Sequence, residues 1–141
     1  MTPSAALSLE QCAARVKLLA LDSDGVLTDG GVYMAADGQE NRRFDIKDGL
    51  GLKRVMAAGI RVAIVSGGSA PGPVTLRAHA LGIEEVHTSI PEKLAVVKAL
   101  CEKFQINLEE VAYMGDDLPD LPVLAAVGLP CAPADAIEAV L

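Results

Sequence analysis

Residues 16–25 read Val16-Lys17-Leu18-Leu19-Ala20-Leu21-Asp22-Ser23-Asp24-Gly25, a short apolar run that stops on two acids and a glycine. A run of this length bounded by polar residues fits a strand buried on both faces, here ending at Asp22. The same form recurs twice: residues 60–65 run into Ser66-Gly67-Gly68, and Val111-Ala112-Tyr113-Met114 runs into Gly115-Asp116-Asp117. Glu85-Val86-His87 and residues 129–132 are shorter strand candidates.

Helical patterns lie between these strands. Residues 50–58 carry apolar side chains at helical spacing and close on Gly59; residues 74–81 stop at Gly82. Pro91 suits the first position of a long helix reaching about Gln105. Asn107 with Glu110 forms a capping pattern, residues 119–127 a short helix, and residues 134–141 a last one. Strands alternating with helices predict an α/β fold, a doubly wound and mostly parallel sheet with helices on both faces. Val32-Tyr33-Met34 and Arg43-Phe44-Asp45-Ile46 flank Asp37-Gly38, a hairpin turn signal, so a small β-hairpin insertion is expected over about residues 32–46. With a partly helical lead-in over about residues 1–15, residues 1–141 read as a single domain.

Composition narrows the function. The net charge of −7 repels nucleic acid and anionic membrane surfaces, so neither is expected as a partner. No apolar run reaches the roughly 18 residues that span a bilayer, and residues 1–14 lack the basic start and apolar stretch of a signal peptide. Cys12, Cys101 and Cys131 are scattered and odd in number; they read as reduced, packed thiols, which fits a cytoplasmic location. There is no Trp, and only two Tyr and two Phe, so the core must be aliphatic. His79 and His87 read as ordinary surface histidines.

In open parallel sheets ligands bind beyond the carboxyl ends of the strands. The architecture brings the three strand-end loops to that edge. Asp22 and Asp24, two apart on an extended segment, point to one side, where a cation or proton must relieve their repulsion. Gly25 permits close approach of a ligand. Asp117 and Asp120 serve in part as caps for the helix near Pro119. Asp116 is left over at a strand end facing the first pair, and oxygen ligands from two strand ends suit Mg²⁺. Ser66 and the following N–H groups can hold phosphate oxygens, while taken alone the segment reads as an ordinary turn. Lys93 sits in the first turn of a helix, where the dipole disfavours a cation; alone it reads as a solvated charge beside Glu92, and beside the other three loops as a phosphate-binding residue. Arg42 and Arg43 read as solvated surface charge.

In this order, Asp22-Ser23-Asp24-Gly25-Val26, Ser66, Lys93 and Gly115-Asp116-Asp117-Leu118-Pro119-Asp120 resemble the four motifs of the haloacid dehalogenase superfamily, a Rossmann-like fold. The likeness extends to its 3-deoxy-D-manno-octulosonate 8-phosphate phosphatases. It is carried by residues 22–30, by Phe44-Asp45-Ile46-Lys47-Asp48-Gly49-Leu50-Gly51 and by residues 113–120. One departure is Ser66-Gly67-Gly68, where that family usually carries Thr-Gly-Arg.

The resemblance implies a Mg²⁺-dependent phosphatase of a small anionic sugar phosphate, in lipopolysaccharide biosynthesis. It implies Asp22 as nucleophile and Asp24 as general acid and base. Asp22, Asp24 (through its backbone carbonyl) and Asp116 would hold the metal. Ser66, Gly67 and Lys93 would hold phosphate, with Asp117 and Asp120 ordering the loop behind them. It also implies a homotetramer, because the hairpin is too short to cover the site. The competing readings are a phosphatase of another keto-deoxy sugar acid phosphate and a non-catalytic phosphate-binding or scaffold member of the same fold.

Overall fold

The computed structural model describes residues 6–68 and 72–141. Five strands form one parallel sheet: β1 (Leu18–Leu21), β4 (Arg61–Val65), β5 (Glu85–His87), β6 (Val111–Met114) and β7 (Leu129–Cys131). Their order is β5-β4-β1-β6-β7, with every neighbouring pair parallel. The predicted doubly wound sheet is therefore the one observed. β1 lies at its centre, with Leu21 registered against Ile64 on one side and Met114 on the other.

The two faces follow from the two-residue period of a strand. Leu18, Ala20, Ala63, Val65, Val111 and Tyr113 point to one side and pack with Val97, Leu100 and Cys101 of α4 (Lys93–Phe104) and Val123 of α5 (Leu121–Ala126). Leu21, Val62 and Ile64 point to the other and meet Leu52 of α2 (Ile46–Ala57) and Val74, Ala78 and Leu81 of α3 (Gly72–Leu81). The buried residues of both layers are aliphatic apart from Cys101 and Tyr113, with Phe104 and Phe44 packed at their margins; the Tyr113 phenol has a polar task described below.

Several boundaries differ from expectation. The hairpin pairs β2 (Tyr33–Met34) with β3 (Glu40–Asn41), not with residues 43–46. The alternation in Arg43-Phe44-Asp45-Ile46 has another cause: Phe44 bridges Thr28, and Asp45 caps α2 by accepting from the Lys47 N–H at 2.8 Å. That helix begins four residues earlier than the periodicity suggests. Helix α4 starts at Lys93, two residues past Pro91, and ends where Gln105 turns left-handed at φ +55°. Residues 134–141 form turns, not a helix. A segment that short does not meet the cost of helix nucleation without a packed face, and here the Ile137 N–H donates to the Asp116 carbonyl instead. Of the lead-in, α1 (Leu9–Ala14) is helical, and residues 1–5 lie outside the described residues. Among the described residues no helix is long and apolar enough to cross a membrane.

Candidate active site

The strand order reverses at β1, and the loops after β1, β4 and β6 meet there, where a parallel sheet opens its ligand crevice. They line an open pocket of about 290 Å³ that contains Asp22, Asp24, Ser66, Gly67, Lys93, Asp116, Asp117 and Asp120. All the predicted site residues thus lie together. A larger surface cavity, about 440 Å³, sits at the opposite sheet edge around Arg61 and Phe104 and holds no such cluster.

The loop after β1 is built to present its acids. The Asp22 N–H stays in the sheet, donating to Met114 O at 3.1 Å. The chain then coils so that the N–H groups of Val26, Leu27 and Thr28 all donate to Ser23 O. Buried Thr28 ties the turn shut, its Oγ1 accepting from Gly25 N at 3.1 Å and Gly30 N at 3.2 Å. Gly25 lies at φ +84°, and a Cβ there would stand 1.8 Å from Asp116 Oδ2. Glycine is required twice over, for its backbone angle and for the space that Asp116 fills.

Lys93 resolves the puzzle of a cation at a helix N-terminus. Its buried ammonium lies 3.1 Å from Asp22 Oδ1 and 2.8 Å from Asp120 Oδ1. Asp120 is fully buried and spends all its acceptor capacity inside the protein. Oδ1 accepts from Lys93 and from the Tyr113 phenol; Oδ2 accepts from the N–H groups of Asp116 at 3.0 Å and Asp117 at 3.3 Å. Asp117, by contrast, caps the short turn at Leu118–Asp120. Asp120 is expected from sequence as a partial cap and a loop-ordering group; its hold on Lys93 is what the sequence does not show.

Oxygens of Asp22, Asp116 and Asp120 lie within 4.8 Å of one another. Asp120 has no lone pair to spare, so the acids free to take a cation are Asp22 and Asp116. Three carboxylates against one ammonium leave the cluster over-negative. Burial is the main force pushing the Asp22 carboxyl up, to about 7, against the pull of Lys93 and with help from Asp120. Asp116 is raised as well, again chiefly by burial. Two acids driven toward protonation beside each other are the donor set a hard divalent cation relieves, so Mg²⁺ fits the residues present.

Ser66 is buried, held by its N–H to His87 O at 2.8 Å, and its Oγ accepts from Gly68 N at 3.1 Å. The Gly68 carbonyl is fixed in turn by the Ser89 N–H at 2.9 Å. Two residues exceed their sequence reading. Tyr113, read from sequence only as part of a strand, donates its phenol to Asp120. Arg42 is no solvated surface charge: its side chain is 13% exposed and its Nε donates to Asp24 Oδ1 at 3.0 Å.

Comparison with known proteins agrees with this geometry. A family model described as haloacid dehalogenase-like hydrolase matches residues 45–128. The chain is 42% identical over 126 residues to a 3-deoxy-D-manno-octulosonate 8-phosphate phosphatase of Yersinia pestis, covering 89% of this chain and 67% of that protein. It is 44% identical over 124 residues to the same phosphatase of Escherichia coli K12, covering 88% and 65%. It thus spans about two-thirds of the length of these curated relatives. A crystal structure of the Moraxella catarrhalis phosphatase, in complex with magnesium ion, phosphate ion and a KDO molecule, superimposes with a TM-score of 0.88. That match has 37% identity and covers 92% of this chain and 74% of that one. This chain belongs to the haloacid dehalogenase-like hydrolases, and among them stands close to the cap-less 3-deoxy-D-manno-octulosonate 8-phosphate phosphatases.

Proposed function

We propose that this chain is a Mg²⁺-dependent phosphomonoesterase acting on a sugar phosphate through an aspartyl-phosphate on Asp22. The substrate proposed is 3-deoxy-D-manno-octulosonate 8-phosphate. The observation that carries this reading is the buried Asp22 carboxylate, oriented by Lys93 and facing Asp116, at the mouth of the central strand. The substrate rests on the identity of 42–44% to phosphatases of that compound.

Ser23 N–H at 2.8 Å and Lys93 at 3.1 Å both hold Asp22 Oδ1, so the nucleophile is fixed before substrate arrives. A carboxylate oxygen of Asp22 attacks phosphorus, and the bond to the sugar oxygen breaks. Asp24, on the open side of the pocket, gives that oxygen a proton. Water then attacks the phosphorus of the acyl phosphate, Asp24 takes its proton, and inorganic phosphate leaves with Asp22 restored. Ser66, the N–H groups after it and Lys93 carry the charge that spreads over the phosphoryl oxygens. Asp22 and Asp116 side chains, with the Asp24 carbonyl, would hold Mg²⁺. When bound, the metal supplies positive charge between the anionic nucleophile and the anionic phosphate.

A cytoplasmic role in lipopolysaccharide biosynthesis and a homotetramer belong to the same proposal. Val32, Tyr33 and Met34 of the hairpin expose apolar surface that a neighbouring subunit would cover; light scattering showing a monomer would remove the tetramer. The activity is tested by phosphate release from p-nitrophenyl phosphate with Mg²⁺ and with EDTA, followed by a panel of sugar phosphates. Metal-dependent release, fastest on the eight-carbon sugar acid phosphate, is expected. No release from any ester would refute the function, and faster turnover of another sugar would move the substrate.

A further inference from the structure

Asp24 makes two proton transfers, and its carboxyl must be aimed at the leaving oxygen to make them. Its side chain is 45% exposed. It stands outside the cluster formed by Asp22, Asp116 and Asp120. Two residues from Asp22, a loose carboxylate would sample rotamers turned to solvent as readily as to the pocket. Among the described residues, the one side chain that hydrogen-bonds Asp24 is Arg42.

Arg42 follows β3, eighteen positions along the chain from Asp24. Its Nε donates to Asp24 Oδ1 at 3.0 Å while its Nη1 donates to Glu40 Oε2 at 3.2 Å. With its side chain 13% exposed and the planar fork held by two carboxylates, it is a well-oriented donor. The other Asp24 oxygen, Oδ2, faces the phosphate loop, 3.6 Å from where a Cβ on Gly68 would stand. One oxygen is thus tethered to the hairpin and the other turned to the pocket.

We propose that Arg42 is a positioning residue: it holds Asp24 Oδ1 so that Oδ2 faces the leaving oxygen of the bound ester, with Glu40 steadying Arg42. The short hairpin then contributes an aiming device for the proton donor, although it is too small to cover the site. This inference rests on the phosphatase reading of the same pocket.

The test compares kcat/KM, which reports transfer to Asp22, on two esters at saturating Mg²⁺. A sugar or alkyl phosphate needs a proton on its leaving oxygen; p-nitrophenyl phosphate expels a stable phenolate without one. Arg42→Ala is expected to lower kcat/KM on the alkyl ester by on the order of 10–100-fold and on the aryl ester by less than about threefold. Arg42→Lys restores part of the difference, and Arg43→Ala, an exposed neighbour, changes neither. Should Arg42→Ala fold poorly, Glu40→Gln loosens the same arginine and is expected to act in the same selective direction, more weakly. Equal loss on both esters, or no loss on either, overturns the assignment. A wild-type chain inactive on both esters would instead overturn the phosphatase reading, and this assignment with it.

Discussion

Replacing Gly25 with alanine separates backbone strain from the geometry of the site. The residue stands at φ +84°, where an alanine costs about 1–2 kcal/mol. Its new Cβ would lie 1.8 Å from Asp116 Oδ2 and 2.7 Å from the carboxyl carbon. Restoring an ordinary contact of about 3.5 Å pushes the carboxylate back by roughly 1.5 Å or more, out of reach of Asp22. Gly59 is the control: it closes α2 at φ +91° with nothing within 4 Å of its would-be Cβ. Both variants should lose the same ~1–2 kcal/mol in urea denaturation. Gly25→Ala should in addition raise the Mg²⁺ concentration for half-maximal phosphate release by roughly 10–100-fold and lower turnover by on the order of 100-fold. Gly59→Ala should leave both unchanged. If Gly25→Ala kept the Mg²⁺ response and turnover of the wild type, Asp116 would not belong to the metal site. If Gly59→Ala lost as much activity, strain alone would account for the effect.

Two more predictions follow from the buried network. Tyr113→Phe removes the phenol that donates to Asp120 and should cost about 1.5–3 kcal/mol, as expected for a hydrogen bond to a charged group, while turnover falls less than about tenfold because Lys93 still holds Asp120. Equal stability of the two proteins in urea would deny that bond a role. Without metal, Asp22 is raised from 3.8 to about 7, so between those values the folded chain holds a proton that the unfolded chain releases. Stability referred to an Asp22→Asn variant should therefore fall as pH rises through that window and level off above it. Mg²⁺ takes the ionised form and should flatten the slope. A difference that rose with pH in EDTA would contradict the placement of Asp22.

Much of this was legible because the site is built from strand ends. The apolar runs closing on Asp22, Ser66 and Asp116 announce parallel strands, and parallel strands deliver their carboxyl ends to one edge whatever the details between. Lys93, set against the helix dipole, does pair with anions, and these are the protein's own Asp22 and Asp120. What stayed hidden depends on contacts far apart in sequence. Arg42 reaches Asp24 only because β3 pairs at Glu40–Asn41, a register that the stronger alternation at residues 43–46 disguised. Asp120 looked like a cap because its local hydrogen bonds are those of one; its partner Lys93 lies 27 residues away. The final eight residues have helical composition but no buried stripe to hold them, and composition alone does not show that.

The most direct test of the account is to trap the covalent intermediate. Denaturing the enzyme during turnover of a phosphate ester with Mg²⁺, reducing with borohydride and mapping peptides should convert Asp22, and no other aspartate, to homoserine. Asp22→Asn should show neither the product nor phosphate release. An Asp22→Asn enzyme that releases phosphate at the wild-type rate, or a reduced residue at any other position, would contradict it.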